Sequence, residues 1–205
     1  MDILTDGPAS SAKTVLLAHG AGLPMDAPFM AKFATAMANA GSRVVRFEFP
    51  YMASRRITGS RRPPDRAPKL IESFHQAIKL AEAPEGTLIL AGKSMGGRMA
   101  TMIADEVGAV GVVVFGYPFH PGGKPENLRV DHLADIKTPT LICQGTRDGL
   151  GNKNEVAGYD LSANISLCWL EDGDHDFKPR KASGHTVETN WAQAQSAAND
   201  FIDEL

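Results

Sequence analysis

The sequence has few cysteines, little net charge and no long apolar run, and each shortage excludes a class of protein. Cys143 and Cys168 are the only cysteines among 205 residues, which excludes a disulfide-stabilised scaffold and predicts two reduced, buried thiols. The net charge of −3 provides no field for nucleic acid or an anionic membrane. No stretch approaches the roughly 18 apolar residues of a membrane span, and the polar residues 1–12 do not resemble a signal peptide. Together these features predict a cytoplasmic protein.

Signatures of metals and cofactors are missing as well. No pair of histidines or cysteines has metal-ligand spacing, and the two cysteines alone would make an incomplete zinc site. Gly20 and Gly22 lack the third glycine and the later acidic residue of a dinucleotide-binding motif. We therefore expect neither a metal nor a cofactor, while the oligomeric state is not indicated.

Short apolar runs alternate with segments of helical length along the whole chain. Six runs predict strands, at 15–18, 44–49, 87–91, 111–115, 140–143 and 165–170. Five segments predict helices, at 27–40, 68–83, 95–107, 153–159 and 189–205. This alternation is typical of an α/β fold with a mainly parallel sheet covered by helices on both faces. We expect one domain over 1–205, with 51–67 and 116–139 as long connections, and a ligand at the carboxyl ends of the strands.

Residues 92–96 have the sequence Gly-Lys-Ser-Met-Gly, between a predicted strand and a predicted helix. The G-x-S-x-G pattern in this context predicts a tight turn that exposes Ser94 as a nucleophile. The backbone N–H of Met95, at the start of the helix, would then stabilise an oxyanion. The alternative is a glycine-rich turn that only packs a helix on a sheet. For Lys93 we expect extension into solvent, rather than attraction of an anionic substrate.

The sequence His-Gly-Ala-Gly at 19–22 follows the first predicted strand. A loop of this kind supplies the second oxyanion N–H in hydrolases with such an elbow, and we assign that donor to Ala21, with Gly22 as the alternative. His19 is expected to hold the loop rather than act as a base. A simple glycine turn is the competing interpretation.

A serine nucleophile needs a base, and the order Ser, Asp, His is expected along the chain. His175 follows the last predicted strand, and Asp148 is the first carboxylate after the strand before it. We predict His175 as the base and Asp148 as the acid that orients it. His185 is the rival base, and two acidic neighbours of His175 are rival acids that are too local to orient it.

Other residues after strands could shape the pocket. Tyr51, Tyr117 and His120 are candidates for substrate binding, with plain packing as the alternative. Five arginines between 55 and 66 form either a solvated basic loop or a patch for a carboxylate or phosphate.

Four segments carry a family resemblance. They are 47–51 (Phe-Glu-Phe-Pro-Tyr), 92–98 (Gly-Lys-Ser-Met-Gly-Gly-Arg), 116–121 (Gly-Tyr-Pro-Phe-His-Pro) and 144–148 (Gln-Gly-Thr-Arg-Asp). Over 17–177 the chain resembles the α/β-hydrolases related to testis-expressed protein 30 and NSL complex subunit 3. It is also similar to dienelactone hydrolases in size, although those use a cysteine where this chain has Ser94. The resemblance implies an α/β-hydrolase fold without a large cap domain, and leaves the substrate open.

These observations predict a serine hydrolase that cleaves an ester, thioester or lactone through an acyl-enzyme. The expected partner is a small-molecule acyl substrate, rather than nucleic acid or a membrane. Because one relative belongs to a chromatin complex, the alternative is a non-catalytic interaction or scaffold protein on the same fold.

Overall fold

A computed structural model describes all 205 residues and contains one seven-stranded sheet flanked by helices. The strands are β1 (Ile3–Asp6), β2 (Thr14–Ala18), β3 (Arg43–Phe47), β4 (Leu88–Lys93), β5 (Gly111–Phe115), β6 (Thr140–Gly145) and β7 (Ile165–Leu170). The helices are α1 (Pro28–Asn39), α2 (Pro50–Thr58), α3 (Ala67–Ala81), α4 (Met95–Ile103), α5 (Lys153–Val156) and α6 (Val187–Glu204). The predicted architecture is confirmed. None of the helices combines the length and the apolar character needed to cross a bilayer.

The sheet has the order β1-β3-β2-β4-β5-β6-β7, and only β1 is antiparallel to its neighbour. This edge strand is a seventh strand that the sequence did not predict. It pairs Ile3 with Phe47 and Asp6 with Val44, and its four residues are all at least partly exposed. So short and polar a segment lacks the apolar run by which the other strands were recognised.

The segment 51–67, predicted as a connection, contains most of α2 instead. Pro50 opens this helix, where its missing N–H costs nothing. Gly59 ends it with a φ of 69°, a left-handed conformation that favours glycine. The helix buries little beyond Tyr51 and Met52, so its apolar periodicity was too weak to indicate a helix.

Both faces of the sheet are buried, because α3 and α4 pack on one face and α1 and α6 on the other. Alternate side chains of each strand point to opposite faces. Leu16 and Leu90 are register partners in one apolar layer, while Val15 and Ile89 are partners in the other. Because β2, β4, β6 and β7 run in the same direction, the loops that follow them emerge at one edge of the sheet, where the polar candidates lie.

The two cysteines are register partners on β6 and β7, and both are free thiols. Cys143 is fully buried as predicted, but Cys168 is only half-buried. The difference arises because β7 is an edge strand, so one flank of it has no neighbour in the sheet.

Candidate active site

Ser94 lies at the tip of a tight turn between β4 and α4. Its φ of 51° and ψ of −114° place it in strained backbone, and its side chain is half-buried. The turn depends on close approach of strand and helix. A Cβ atom at Gly96 would lie 2.6 Å from the carbonyl oxygen of His19, so only glycine fits there.

Three side chains form a continuous chain of hydrogen bonds at this point. His175 Nε2 lies 2.8 Å from Ser94 Oγ, and His175 Nδ1 lies 2.7 Å from Asp148 Oδ2. With Nδ1 donating its proton to Asp148, Nε2 is left as the acceptor for the serine hydroxyl. The structure thus brings together the three residues, from separate loops, that the sequence analysis predicted as a triad.

The carboxylate of Asp148 is fully buried, and both of its oxygens accept hydrogen bonds. Oδ1 accepts the Leu150 N–H at 2.8 Å, and Oδ2 also accepts the Gln144 amide at 2.9 Å. Gln144 was missed by the sequence analysis. A glutamine inside an otherwise apolar strand, four positions before the acid, was the available signal, because a buried amide needs partners.

The rival residues make other contacts. Asp174 Oδ1 accepts the N–H groups of Asp176 and Lys178, both at 2.9 Å, and so forms a turn. His185 is exposed and donates only its backbone N–H, to Ser183. Neither Asp174 nor His185 therefore contacts the serine hydroxyl or the buried carboxylate, and the third rival, Asp176, lies 3.4 Å from the Lys93 ammonium.

The two backbone N–H groups predicted to bind an oxyanion belong to residues that line the cavities at Ser94. Met95 is the first residue of α4, so its N–H has no partner within the helix. The N–H of Ala21, in the loop after β2, donates to no protein acceptor. Both N–H groups therefore have no acceptor within the protein, as a role in binding an oxyanion requires.

His19 and Tyr51 hold that loop in place. His19 Nδ1 lies 2.7 Å from the carbonyl oxygen of Gly20, and Nε2 accepts the N–H of Phe49 at 3.0 Å. Burial lowers the pKa of His19, which fits this neutral form. The Tyr51 hydroxyl donates to the carbonyl oxygens of Gly20 and Ala21, at 3.2 and 3.1 Å. Tyr51 therefore positions the loop and lines neither cavity beside the serine.

Lys93 does not extend into solvent, so that prediction is wrong. Its side chain is 10% exposed, and its ammonium lies near Asp176 and between the rings of Phe29 and Phe177. Nζ donates a hydrogen bond of 2.7 Å to the carbonyl oxygen of His175. Burial lowers the pKa of Lys93, while the Asp176 carboxylate opposes the shift. The hydrogen bond to the His175 carbonyl oxygen thus keeps the Lys93 side chain inside the protein instead of in solvent.

Two cavities meet at Ser94. The first encloses about 370 Å³ and is mainly apolar; besides the serine, its lining includes Gly22, Leu23, Phe29, Met30, Lys93 and His175. The second encloses about 410 Å³; its lining includes Asp65, Met95, Arg98, His120 and Arg129. Ala21, Ser94 and Leu150 line both. A substrate bound across the serine would therefore occupy both cavities.

Of the remaining candidates, His120 reaches a cavity and Tyr117 does not. His120 Nδ1 lies 2.9 Å from the carbonyl oxygen of Pro121, which fixes the ring at the wall of the second cavity. Tyr117 is fully buried and its hydroxyl donates to the carbonyl oxygen of Arg129 at 2.8 Å. Tyr117 therefore supports the cavity wall from behind.

The arginines between 55 and 66 do not act as one patch. Arg55 donates to the carbonyl oxygen of Gly22 at 3.1 Å. Arg56 pairs with Glu48 at 2.6 Å and with Asp26 at 2.5 Å. Two of the five guanidinium groups are thus already satisfied by the protein. No group of three or more His, Cys, Asp or Glu side chains is arranged to hold a metal ion.

Comparison with known proteins places this site in a familiar fold. The sequence model of the alpha/beta hydrolase domain matches residues 11–203. An alpha-beta serine hydrolase homologue from Coxiella burnetii is 16% identical, with a TM-score of 0.72 over 99% of this chain and 90% of that one. A serine hydrolase without lid from Xanthomonas campestris is 20% identical, with a TM-score of 0.69 over 99% and 88%. Dienelactone hydrolase from Anabaena variabilis is 20% identical, with a TM-score of 0.72 over 98% and 90%.

Proposed function

We propose that this chain, which belongs to the α/β-hydrolase family, is a serine hydrolase that cleaves a carboxylic ester, thioester or lactone. The observation that carries the proposal is the hydrogen-bonded chain from Ser94 through His175 to Asp148, at 2.8 and 2.7 Å. A serine hydroxyl is a weak nucleophile until such a base accepts its proton. The structural neighbours, which include serine hydrolases and an esterase domain from Rhodothermus marinus, support the same class.

Each step of the reaction has a group to perform it. Ser94 Oγ attacks the carbonyl carbon while His175 Nε2 takes the hydroxyl proton, and the oxyanion receives the N–H groups of Ala21 and Met95. His175 then returns the proton to the leaving oxygen or sulfur. Water, deprotonated by His175, then attacks the acyl carbon; the bond to Ser94 Oγ breaks, and His175 returns the proton to Oγ. Asp148 takes up no proton in either step and stabilises the imidazolium form of His175.

Labelling with a fluorophosphonate probe tests the proposal directly, because the probe reacts with activated serines. We expect mass mapping to find the adduct on Ser94, and no adduct in Ser94→Ala or His175→Ala. In Asp148→Asn the tautomer of the histidine is wrong, and turnover of a susceptible aryl ester should fall by about 10⁴-fold. The melting temperature of each variant serves as the folding control.

Absence of labelling in well-folded protein would overturn the proposal and favour the interaction or scaffold alternative. The narrower resemblance to testis-expressed protein 30 and NSL complex subunit 3, and the cytoplasmic location, stay predictions.

A further inference from the structure

Two arginines of the second cavity have no ion-pair partner. Neither Arg98 nor Arg129 lies within 4.0 Å of a carboxylate, although other arginines and lysines form seven such pairs. Arg98 Nε is buried and donates to no acceptor. Partial burial lowers the pKa of Arg129, and the nearby charge of Arg98 adds to this effect. Two cations that approach each other without a counter-ion are unfavourable unless an anion joins them.

The backbones of both arginines are fixed relative to the nucleophile. The N–H of Arg98, in the first turn of α4, donates to the Ser94 carbonyl at 2.9 Å. The Arg129 backbone is held on both sides, because its N–H donates to Phe119 and its carbonyl oxygen accepts the Tyr117 hydroxyl, each at 2.8 Å. Both arginines also line the same cavity as Ser94, so this cavity has a cationic wall beside the serine.

The position of His175 decides which part of a substrate meets these arginines. The leaving oxygen must receive its proton from His175, and His175 lines the first cavity but not the second. The leaving group consequently belongs in the first, apolar cavity. The acyl chain then extends past Met95 into the second cavity, toward Arg98 and Arg129.

We propose that the second cavity is a subsite for a carboxylate at the far end of the acyl chain, so that the preferred substrates are monoesters of dicarboxylic acids. Planar guanidinium groups match the geometry of a carboxylate. This assignment rests on the proposed function, because it uses the acyl-enzyme of Ser94. The ester bond breaks, the alcohol leaves with a proton from His175, and water releases the dicarboxylic acid.

Asp65 is the only carboxylate that lines the second cavity. Lys69 pairs with its Oδ1 at 2.9 Å, which offsets part of its charge, while its Oδ2 is buried without a partner. The guanidinium groups therefore leave the cavity net positive. Because Asp65 still opposes an incoming anion, its replacement by asparagine should strengthen the preference for an anionic acyl chain.

The test compares two esters with acyl chains of equal length, 4-nitrophenyl hydrogen adipate and 4-nitrophenyl hexanoate. We expect kcat/KM to favour the adipate in the natural protein. Arg98→Gln and Arg129→Gln should each reduce the adipate-to-hexanoate ratio by about tenfold, the equivalent of one charge-assisted hydrogen bond. Asp65→Asn should raise the ratio. Lys79→Gln, which removes a positive charge from the exposed end of α3, should leave it unchanged.

A ratio that stays the same in both arginine variants, with hexanoate still cleaved, would refute the subsite and leave the serine hydrolase intact. If neither ester is cleaved and Ser94 takes up no fluorophosphonate, the proposed function fails instead. Binding of free adipate, measured by calorimetry on the natural protein and on Arg98→Gln, then decides separately whether the second cavity binds a carboxylate. Weaker binding to Arg98→Gln supports it, whereas equal binding or none refutes it.

Discussion

The ammonium of Lys93 donates a hydrogen bond of 2.7 Å to the carbonyl oxygen of His175. The residue before the nucleophile thereby holds the loop that carries the base. The contact is nearly dehydrated, since the lysine side chain is 10% exposed, and a bond from a charged donor is stronger there than in water. One side chain thus couples the β4 turn to the loop after β7.

Removal of this anchor should slow catalysis rather than unfold the protein. In Lys93→Met the His175 loop loses a hydrogen bond from a charged group, and kcat should fall about tenfold because His175 is less often within reach of Ser94. Steady-state kinetics on an aryl ester provide the measurement. Asp176→Asn, which removes the exposed partner of the ammonium but keeps the carbonyl contact, should have a much smaller effect. Equal losses in the two variants would contradict the anchoring role.

Gln144 should be a large contributor to stability, because its amide joins three loops. Its Oε1 accepts the Tyr117 N–H at 2.7 Å, and its Nε2 donates to Asp148 and to the Gly151 carbonyl at 2.9 and 3.0 Å. Gln144→Leu leaves these groups buried without partners, which should lower the free energy of unfolding by about 2–4 kcal/mol. Urea denaturation measures the change.

The control for that change is Gln193→Leu, at an exposed amide that donates one bond to Trp169. Its effect should stay within about 0.5 kcal/mol. A similar small effect at Gln144 would mean that water replaces the lost amide.

The sequence predicted Ser94, Asp148 and His175 because each signal is local: a residue of a particular type directly after an apolar run. The parallel order of the strands then places the ends of those runs at one edge. No long-range information was needed beyond the fold. The contacts among the three side chains, at 2.8 and 2.7 Å, follow from that geometry.

The supporting residues could not be found in this way, because their partners are distant in the chain. Lys93 gives no indication by itself that it contacts residue 175, 82 positions away. Arg98 belongs to the recognised elbow segment, but its lack of an ion-pair partner depends on residues that are distant in the chain and line the same cavity, such as Asp65 and Arg129. The strand β1 was missed since an edge strand can be short and polar.

Gly96 should tolerate no side chain. A Cβ atom there would lie 2.6 Å from the carbonyl oxygen of His19 and 2.7 Å from that of Ala18, and neither backbone atom can move without shifting β2. Gly96→Ala should therefore lower the free energy of unfolding by about 1–3 kcal/mol. Gly149→Ala is the matched control, because no atom lies within 4 Å of its Cβ position. Chemical denaturation of both variants measures the difference. Equal stability would show that the helix α4 can move away from β2 to make room for the added methyl group.

Asp172 gives the protein a stability contribution that depends on pH. Hydrogen bonds from Arg180, at 2.7 Å from its N–H and 2.9 Å from its Nε, lower the pKa of the Asp172 carboxyl from 3.8 to about 2. A depressed carboxyl pKa stabilises the folded state above the unfolded value, and the contribution is lost as the pH falls toward the folded value. Asp172→Asn should therefore be less stable than the natural protein at pH 7, and the gap should close between about pH 4 and pH 2. Asparagine also accepts the φ of 53° at this position, so backbone strain does not enter the comparison.

Thermal unfolding of both proteins across that pH range measures the gap. Asp160→Asn, at an exposed carboxylate without an ion pair, is the control and should track the natural protein at every pH. A charge effect disappears when the natural carboxylate is itself protonated. A stability difference between Asp172→Asn and the natural protein that stayed constant down to pH 2 would therefore mean that the substitution disturbs the turn and not an ion pair.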